Sequence, residues 1–377
     1  MFRKIALPIS IILTFTALEL NALHFSVYDI RGRVSISYAS GETLTPQLHD
    51  PIEGQAAIRT FRDSSISFTG NGHYYRVYAS SLVRLQDEPV LVYGKLSKSM
   101  GKNFVDLHFY YLPAPAQGRT MKVVVRSSDD DIEVKSALLT DNGNGRTLTV
   151  YPLGGGKYRA LTGFDCEAPA VRYKLDIVAT RDSISYTQVI YPFYLRETQF
   201  PTGRVMLAPA KNNLFQPSER KRRESDRLMK VLAASSEQSL WDGPFIQPLA
   251  VSEIISSFGK KRMYYIGGKR IRVRHHRGID YRAARGTPVF APNHGIVVLT
   301  ADRVTTGNTL VIDHGHGVFS LFFHLDSISV EEGARVRSGD KVAEAGSTGI
   351  AVGPHLHWSI WVDGIYVNPR DWLKRYF

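Results

Sequence analysis

Apolar and polar residues alternate with a period of two through most of the chain after residue 23. Such alternation, broken by glycine- and asparagine-marked turns, predicts short half-buried strands. "FSVYDIRGRVSISYASG" shows it and ends in a turn, and "SSISFTGNGHYYRVYASSLVRL" repeats it around Gly-Asn-Gly. A second β-rich stretch, 103–198, has frequent turns and the strand spacing of a β-sandwich. Pro201, Pro209 and Pro217 then mark a linker over 199–243. Within it "SERKRRESDRLMKVLAAS" predicts a helix capped by Ser218, with Leu228, Met229, Val231 and Leu232 on one side. From residue 244 the turns become dense, and "TPVFA", "GIVVLTA", "TLVIDH", "VFSLFFHL", "KVAEAG", "HLHWSIWV" and "IYVNP" read as strands. Asp363-Gly364 between two of them is a two-residue hairpin signal. The fold class is therefore mainly β and multidomain, with a short helical linker before a C-terminal antiparallel β domain.

Eight of the twelve histidines fall between residues 275 and 357. Strand parity sorts those in "HLHWSIWV": Leu356, Trp358, Ile360 and Val362 form a core face, so His355, His357, Ser359 and Trp361 share the other. In "VFSLFFHL", Phe319, Leu321, Phe323 and Leu325 form the apolar face and His324 falls on the opposite one. "HHRGID" adds His276 and Asp280, with Gly278 between them permitting a sharp backbone path. An imidazole and a carboxylate suit Zn²⁺, and one further histidine would complete three protein ligands with a fourth position left for water. HExxH is absent, which excludes the helical zinc site of that type.

The formal charge of +12 favours an anionic partner such as a wall polymer, a membrane surface or nucleic acid. The single cysteine, Cys166, excludes an intramolecular disulfide and a cysteine-based zinc cluster, and reads as a small buried hydrophobe. Arg3 and Lys4, the apolar run 5–18 and Ala22 read as an export signal over 1–22, since that run is shorter than the roughly 20 residues a spanning helix needs. Only an uncleaved signal would leave the chain a membrane contact. Export places the protein in the periplasm or cell envelope and, with no recognisable motif, disfavours a nucleic-acid partner. The basic run Arg220–Arg223 reads as a solvated helix face rather than a polymer site.

Longer matches sharpen the reading. "AIRTFRDSSISFTGNGHYYRVYASSLVRL" resembles the FecR-like β module, which places such a domain at 23–98. Over 251–371, Ser257-Phe258-Gly259, His276-Arg277-Gly278-Ile279-Asp280, "GTPVFAPNHGIVV", "GNTLVIDHGHG", Phe323-His324-Leu325, "VRSGDKVAEAGSTG" and "GPHLHW" resemble the lysostaphin-type (LytM-like) zinc metallopeptidases that cut peptidoglycan. "YRALTGFD" and "LWDGPFIQPL" are similar to members that carry an extra immunoglobulin-like domain, here 103–198. The resemblance implies a peptidase domain at 244–377 holding one Zn²⁺. It implies His276, Asp280 and His357 as metal ligands and His324 and His355 as catalytic histidines. In family terms His355 helps activate water and His324 stabilises the tetrahedral intermediate. Relatives that only activate other wall enzymes lack some of these positions, and all five are present here. The expected function is zinc-dependent hydrolysis of peptidoglycan peptides; the rival is a non-catalytic wall-binding protein or hydrolase activator with a structural metal site. His275, His294, His314 and His316 stay outside the expected site. Tyr264 and Tyr265 in the basic stretch "KKRMYYIGGKRIRVR" are candidates to line its groove, and Asn212 or Asn213 to cap the metal.

Overall fold

The computed structural model describes residues 24–377 except 48–50, 54–55, 71–72, 78–80, 86–89, 94, 100–106, 113–114, 128–131, 142–143, 182–183, 251–252 and 375–376. The expected export signal, 1–22, lies outside the described residues. No helix among the described residues is long and apolar enough to cross a membrane. The chain is mainly β, as the alternation predicts. It forms two compact units, Met1–Val105 with Lys174–Pro192, and Asp106–Tyr173 with Phe193–Phe377.

In the first unit, the two alternating stretches become the strands His24–Arg31 and Val34–Tyr38, and Ser65–Gly70 and His73–Val77. Gly70 pairs with His73 at the end of the antiparallel ladder that joins the second pair of strands. Inward residues Val34, Ile36, Ile58, Val83, Phe25, Phe68 and Tyr75 are buried in one core. The rings of Phe25 and Phe68 meet edge to face at 5.6 Å.

The second unit is built on a long antiparallel sheet. Its strands run in the spatial order Ile254–Ser256, Ile279–Arg282, His355–Val362, Val318–Ile328, Gly307–Gly315, Gly295–Arg303, Arg335–Val336. The seven strands read from sequence in this region are all present. Val362 pairs with Ile365 across Asp363 (φ 44°) and Gly364 (φ 90°), the positive backbone pair that a two-residue hairpin demands. Both faces of the sheet are covered. Val318, Phe322, Leu356, Trp358, Ile360 and Val362 enter one core together with Leu161, Cys166, Trp241 and Phe245. Phe319, Leu321, Phe323 and Trp361 enter a second core, closed by Leu228 and Leu232 of the helix Glu219–Leu232.

That helix starts where its sequence signals it, with the Ser218 hydroxyl accepting the amide N–H of Lys221 at 3.3 Å. The expected four-residue apolar side narrows to three: Leu228 and Leu232 are buried and Val231 packs beside them, whereas Met229 is 49% exposed. One residue turns a helix by about 100°, which carries position 229 off the stripe formed by i, i+3 and i+4. Of the basic run, Arg220 pairs with Glu224 (2.7 Å) and Asp302 (3.1 Å), and Arg223 with Glu219 (3.6 Å), so these cations are matched within the chain. Cys166 is buried as expected, and burial pushes its thiol up to about 12. Because Phe322 is fully buried beneath the sheet, Phe322→Ala should cost about 3–5 kcal/mol in urea unfolding of this unit. An unchanged midpoint would contradict the packing.

Candidate metal and catalytic centre

Cross-strand register assembles the centre. Asp280 lies directly opposite His357, and His357 opposite Phe323, so all three side chains rise from one face of the sheet. His276 precedes this strand by one tight step. Gly278 makes that step possible, though not through backbone freedom, since it is not among the positive-φ residues. A Cβ there would stand 2.5 Å from His357 Nε2 and 2.6 Å from Ser359 Oγ. Space, not torsion, requires the glycine.

The hydrogen bonds on the far side of each ring fix its tautomer. His276 Nδ1–H donates to the Ser257 carbonyl at 2.9 Å. Ser359 Oγ–H donates to the Arg277 carbonyl (2.8 Å) and so accepts from His357 Nε2–H (2.8 Å). The nitrogens left bare are His276 Nε2 and His357 Nδ1. They stand 3.0 Å from each other and 3.0 and 2.9 Å from Asp280 Oδ1. Three lone-pair atoms converge in a buried triangle, a grouping able to hold a metal ion. Such lone pairs repel unless a proton or a cation sits among them, and the N, N, O donor set is one that Zn²⁺ accepts. The residues present therefore fit a zinc ion.

Charge in the triangle is finely balanced. Burial works against the Asp280 carboxylate, but the adjoining His276 and His357 outweigh it and hold the carboxyl well below its ordinary 3.8. Burial lowers both imidazoles, His357 to about 4, which favours the neutral, metal-ready form. Arg262 donates to the other oxygen, Asp280 Oδ2, and to Ser256 Oγ at 2.8 Å, so Oδ1 is the oxygen left facing the histidines.

His355 and His324 flank the triangle, their ring centroids 5.0 Å apart. His355 Nε2 lies 3.8 Å from Asp280 Oδ1. Each donates Nδ1–H to a backbone carbonyl at 2.8 Å, His355 to Gly353 and His324 to Thr348, leaving both Nε2 atoms bare. Simple parity misplaces His324. Phe323 already stacks on His357, with centroids 4.8 Å apart and ring planes at 10°, so strict alternation would send His324 through to the Trp358 side. Instead, the two-residue step from Leu310 to Asn308 faces a three-residue step from Phe322 to Leu325. This bulge, with φ of 63° at His324, turns the imidazole back to the site. A non-glycine residue held there costs on the order of 1–3 kcal/mol, a cost that functional sites tend to carry. Phe319, Leu321 and Phe323 stay together as expected, but Leu325 crosses to the other core.

The remaining histidines have other work. His275 donates Nδ1–H to the Gly259 carbonyl at 2.8 Å and so anchors the loop before the site. His294 accepts the Ser338 amide at 3.3 Å. His314 donates to the His294 carbonyl (2.7 Å) and accepts from Ser320 Oγ (2.9 Å), which in turn takes the Trp358 indole N–H (3.3 Å). His316 accepts from Arg159 at 2.5 Å and stacks on Tyr151 at 4.0 Å. Tyr264 shares its strand face with Arg262 and lies 5.7 Å from Phe215, while Arg204 covers Tyr265 at 5.7 Å. Asn212 is exposed, and the side chain of Asn213 lies outside the described residues. Three contributors were not singled out from sequence: Arg262, Ser359 and the Phe323 ring. Ser359 had a signal, since parity places it on the histidine face; Arg262 had none that distinguishes it from its basic neighbours.

Residues 274–369 match the profile of Peptidase family M23. The C-terminal segment is a peptidase family M23 domain. The Vibrio cholerae Peptidoglycan DD-endopeptidase ShyC is 35% identical over 123 residues, 33% of this chain and 28% of that protein. The DD-carboxypeptidase/endopeptidase Mpg of Neisseria meningitidis serogroup B is 39% identical over 124 residues, again 33% of this chain and 28% of that protein. The match thus spans little more than a quarter of either relative. Among solved structures, the catalytic domain of the antimicrobial peptidase lysostaphin from Staphylococcus simulans is 26% identical, with a TM-score of 0.28 over 33% of this chain and 93% of that one.

Two outcomes follow. Ser359→Ala should weaken zinc affinity about 10–100-fold in a chelator competition while leaving the fold intact, because it frees the His357 ring; unchanged affinity would contradict the tautomer assignment. His314 and His316, away from the triangle, are each lowered to about 4 from 6.5, first by burial. As pH falls below 6.5 the unfolded chain takes protons that the folded chain refuses, so stability present above that pH drains away down to about 4. Thermal unfolding across this window should show a falling midpoint, and a flat profile would contradict it.

Proposed function

We propose that this chain is an exported zinc-dependent endopeptidase that hydrolyses peptide bonds in the stem or cross-bridge peptides of peptidoglycan. The observation that carries the reading is the convergence of His276 Nε2, Asp280 Oδ1 and His357 Nδ1 beside two further imidazoles with bare Nε2 atoms. His276, Asp280 and His357 would hold one zinc ion. When bound, zinc supplies Lewis acidity to water and to the scissile carbonyl.

The chain's own residues supply proton traffic. His355 Nε2, beside Asp280, is placed to accept a proton from the attacking water. His324 is neutral at neutral pH, since burial, with His355 and His357, lowers it to about 3. Its Nδ1–H is committed to Thr348, so His324 Nε2 also begins as an acceptor. A proton arriving at either Nε2 turns that ring into a donor, toward the oxyanion or the departing amine. The expected division, with His355 on water and His324 on the tetrahedral intermediate, would need the proton that His355 Nε2 takes from water to pass to His324 Nε2 before that ring donates. The relatives named for DD-endopeptidase activity support peptidoglycan as the substrate class.

His324→Ala and His355→Ala should each lower turnover about 10²–10⁴-fold with zinc retained. His276→Ala, Asp280→Ala and His357→Ala should lose zinc. Muropeptide release measured together with zinc content checks both. Wild-type release from the His324 and His355 variants would overturn the assignment, and bound zinc without release by the native chain would favour the wall-binding reading.

A further inference from the structure

The hairpin that leads into the centre is a run of positive charge in which Arg262 is matched by Asp280 and the exposed arginines of the second strand have no ion pair among the described residues. Residues 260–275 hold seven lysines and arginines and no acid. The strands Lys261–Ile266 and Lys269–His275 pair antiparallel, and the second is an edge of its three-stranded sheet. Arg262 lies opposite Arg274, and Tyr264 opposite Arg272, so three guanidiniums share the face from which Arg262 reaches Asp280. Arg270, Arg272 and Arg274 are exposed, and none of them has an ion pair among the described residues. The helix run Arg220–Arg223 is different, since Glu219, Glu224 and Asp302 balance it. Like charges set across and along one hairpin are destabilising, so a folded protein that leaves them unmatched invites an anion.

We propose that this hairpin is the specificity element of the centre and that it reads an acidic peptide. Arg272 and Arg274 stand two residues apart, about 7 Å along a strand. An extended peptide repeats its side chains at the same interval, so carboxylates two residues apart meet successive guanidiniums while the bond to be cut reaches the histidines. Charge-assisted bonds of this kind are strong and geometrically selective. The strand ends at His275, immediately before His276, which ties the charge row to the reacting site rather than to a remote polymer surface. The inference rests on the peptidase reading for its substrate class, though not for its binding.

The test uses the full chain and two fluorescein-labelled peptides of one sequence, with carboxylates free or amidated. Binding is read by anisotropy and cleavage by mass. The acidic peptide should bind about tenfold tighter or better, with the gap closing as salt rises to about 0.3 M. Arg272→Gln with Arg274→Gln should erase the preference by weakening binding of the acidic peptide alone, with the amidated peptide bound as before. Equal binding of the two peptides, or a preference that survives the double substitution, overturns the inference, as does arginine-dependent binding of inorganic polyphosphate without discrimination between the peptides. Equal cleavage of both peptides sinks this inference and spares the peptidase reading. Arginine-dependent preference without cleavage of either upholds the inference and sinks that reading.

Discussion

The mutual approach of three lone-pair atoms, His276 Nε2, Asp280 Oδ1 and His357 Nδ1, is the constraint on which the rest of the centre depends. Left to themselves, such atoms separate or capture a proton. They are held together by bonds on their outer sides: the Ser257 carbonyl behind His276, Ser359 behind His357, Arg262 behind Asp280. Each outer partner fixes an orientation, and for the imidazoles a tautomer as well. Arg262 serves two ends, since it positions Asp280 and begins the row of charge beside the site.

The sheet makes this precision possible because it is packed on both faces. Trp358 and Phe322 lock one side, and Phe319, Leu321 and Trp361 lock the other under Leu228 and Leu232. Even the polar chain beneath the site, from Trp358 through Ser320 to His314, is fully bonded. Rigid strands place Asp280 against His357 by register alone. At His324 the regular ladder fails, and there a bulge brings a fifth side chain to a site that alternation would have denied it.

Much of this was legible in the sequence, and the exceptions share a cause. Strand positions, the Asp363-Gly364 hairpin and the pairing of faces in "HLHWSIWV" follow from a period of two, which is a local property. His276, Asp280, His324, His355 and His357 were nameable from their motif company. What escaped depends on neighbours remote in sequence. Gly278 is small because of His357 and Ser359, which are remote in sequence and brought against it by the fold. His324 breaks parity because of the step beside Asn308. Arg262 stands out from other basic residues only once Asp280 is beside it. Met229 alone is a local exception: at about 100° per residue it stands off the stripe of Leu228, Val231 and Leu232.

The most direct measurement of the central claim is a zinc titration of the metal-free full chain, followed by mass spectrometry of peptides released from purified peptidoglycan. The account predicts no release without zinc and full release at one equivalent. Zinc taken up at one equivalent with no peptide released would contradict it.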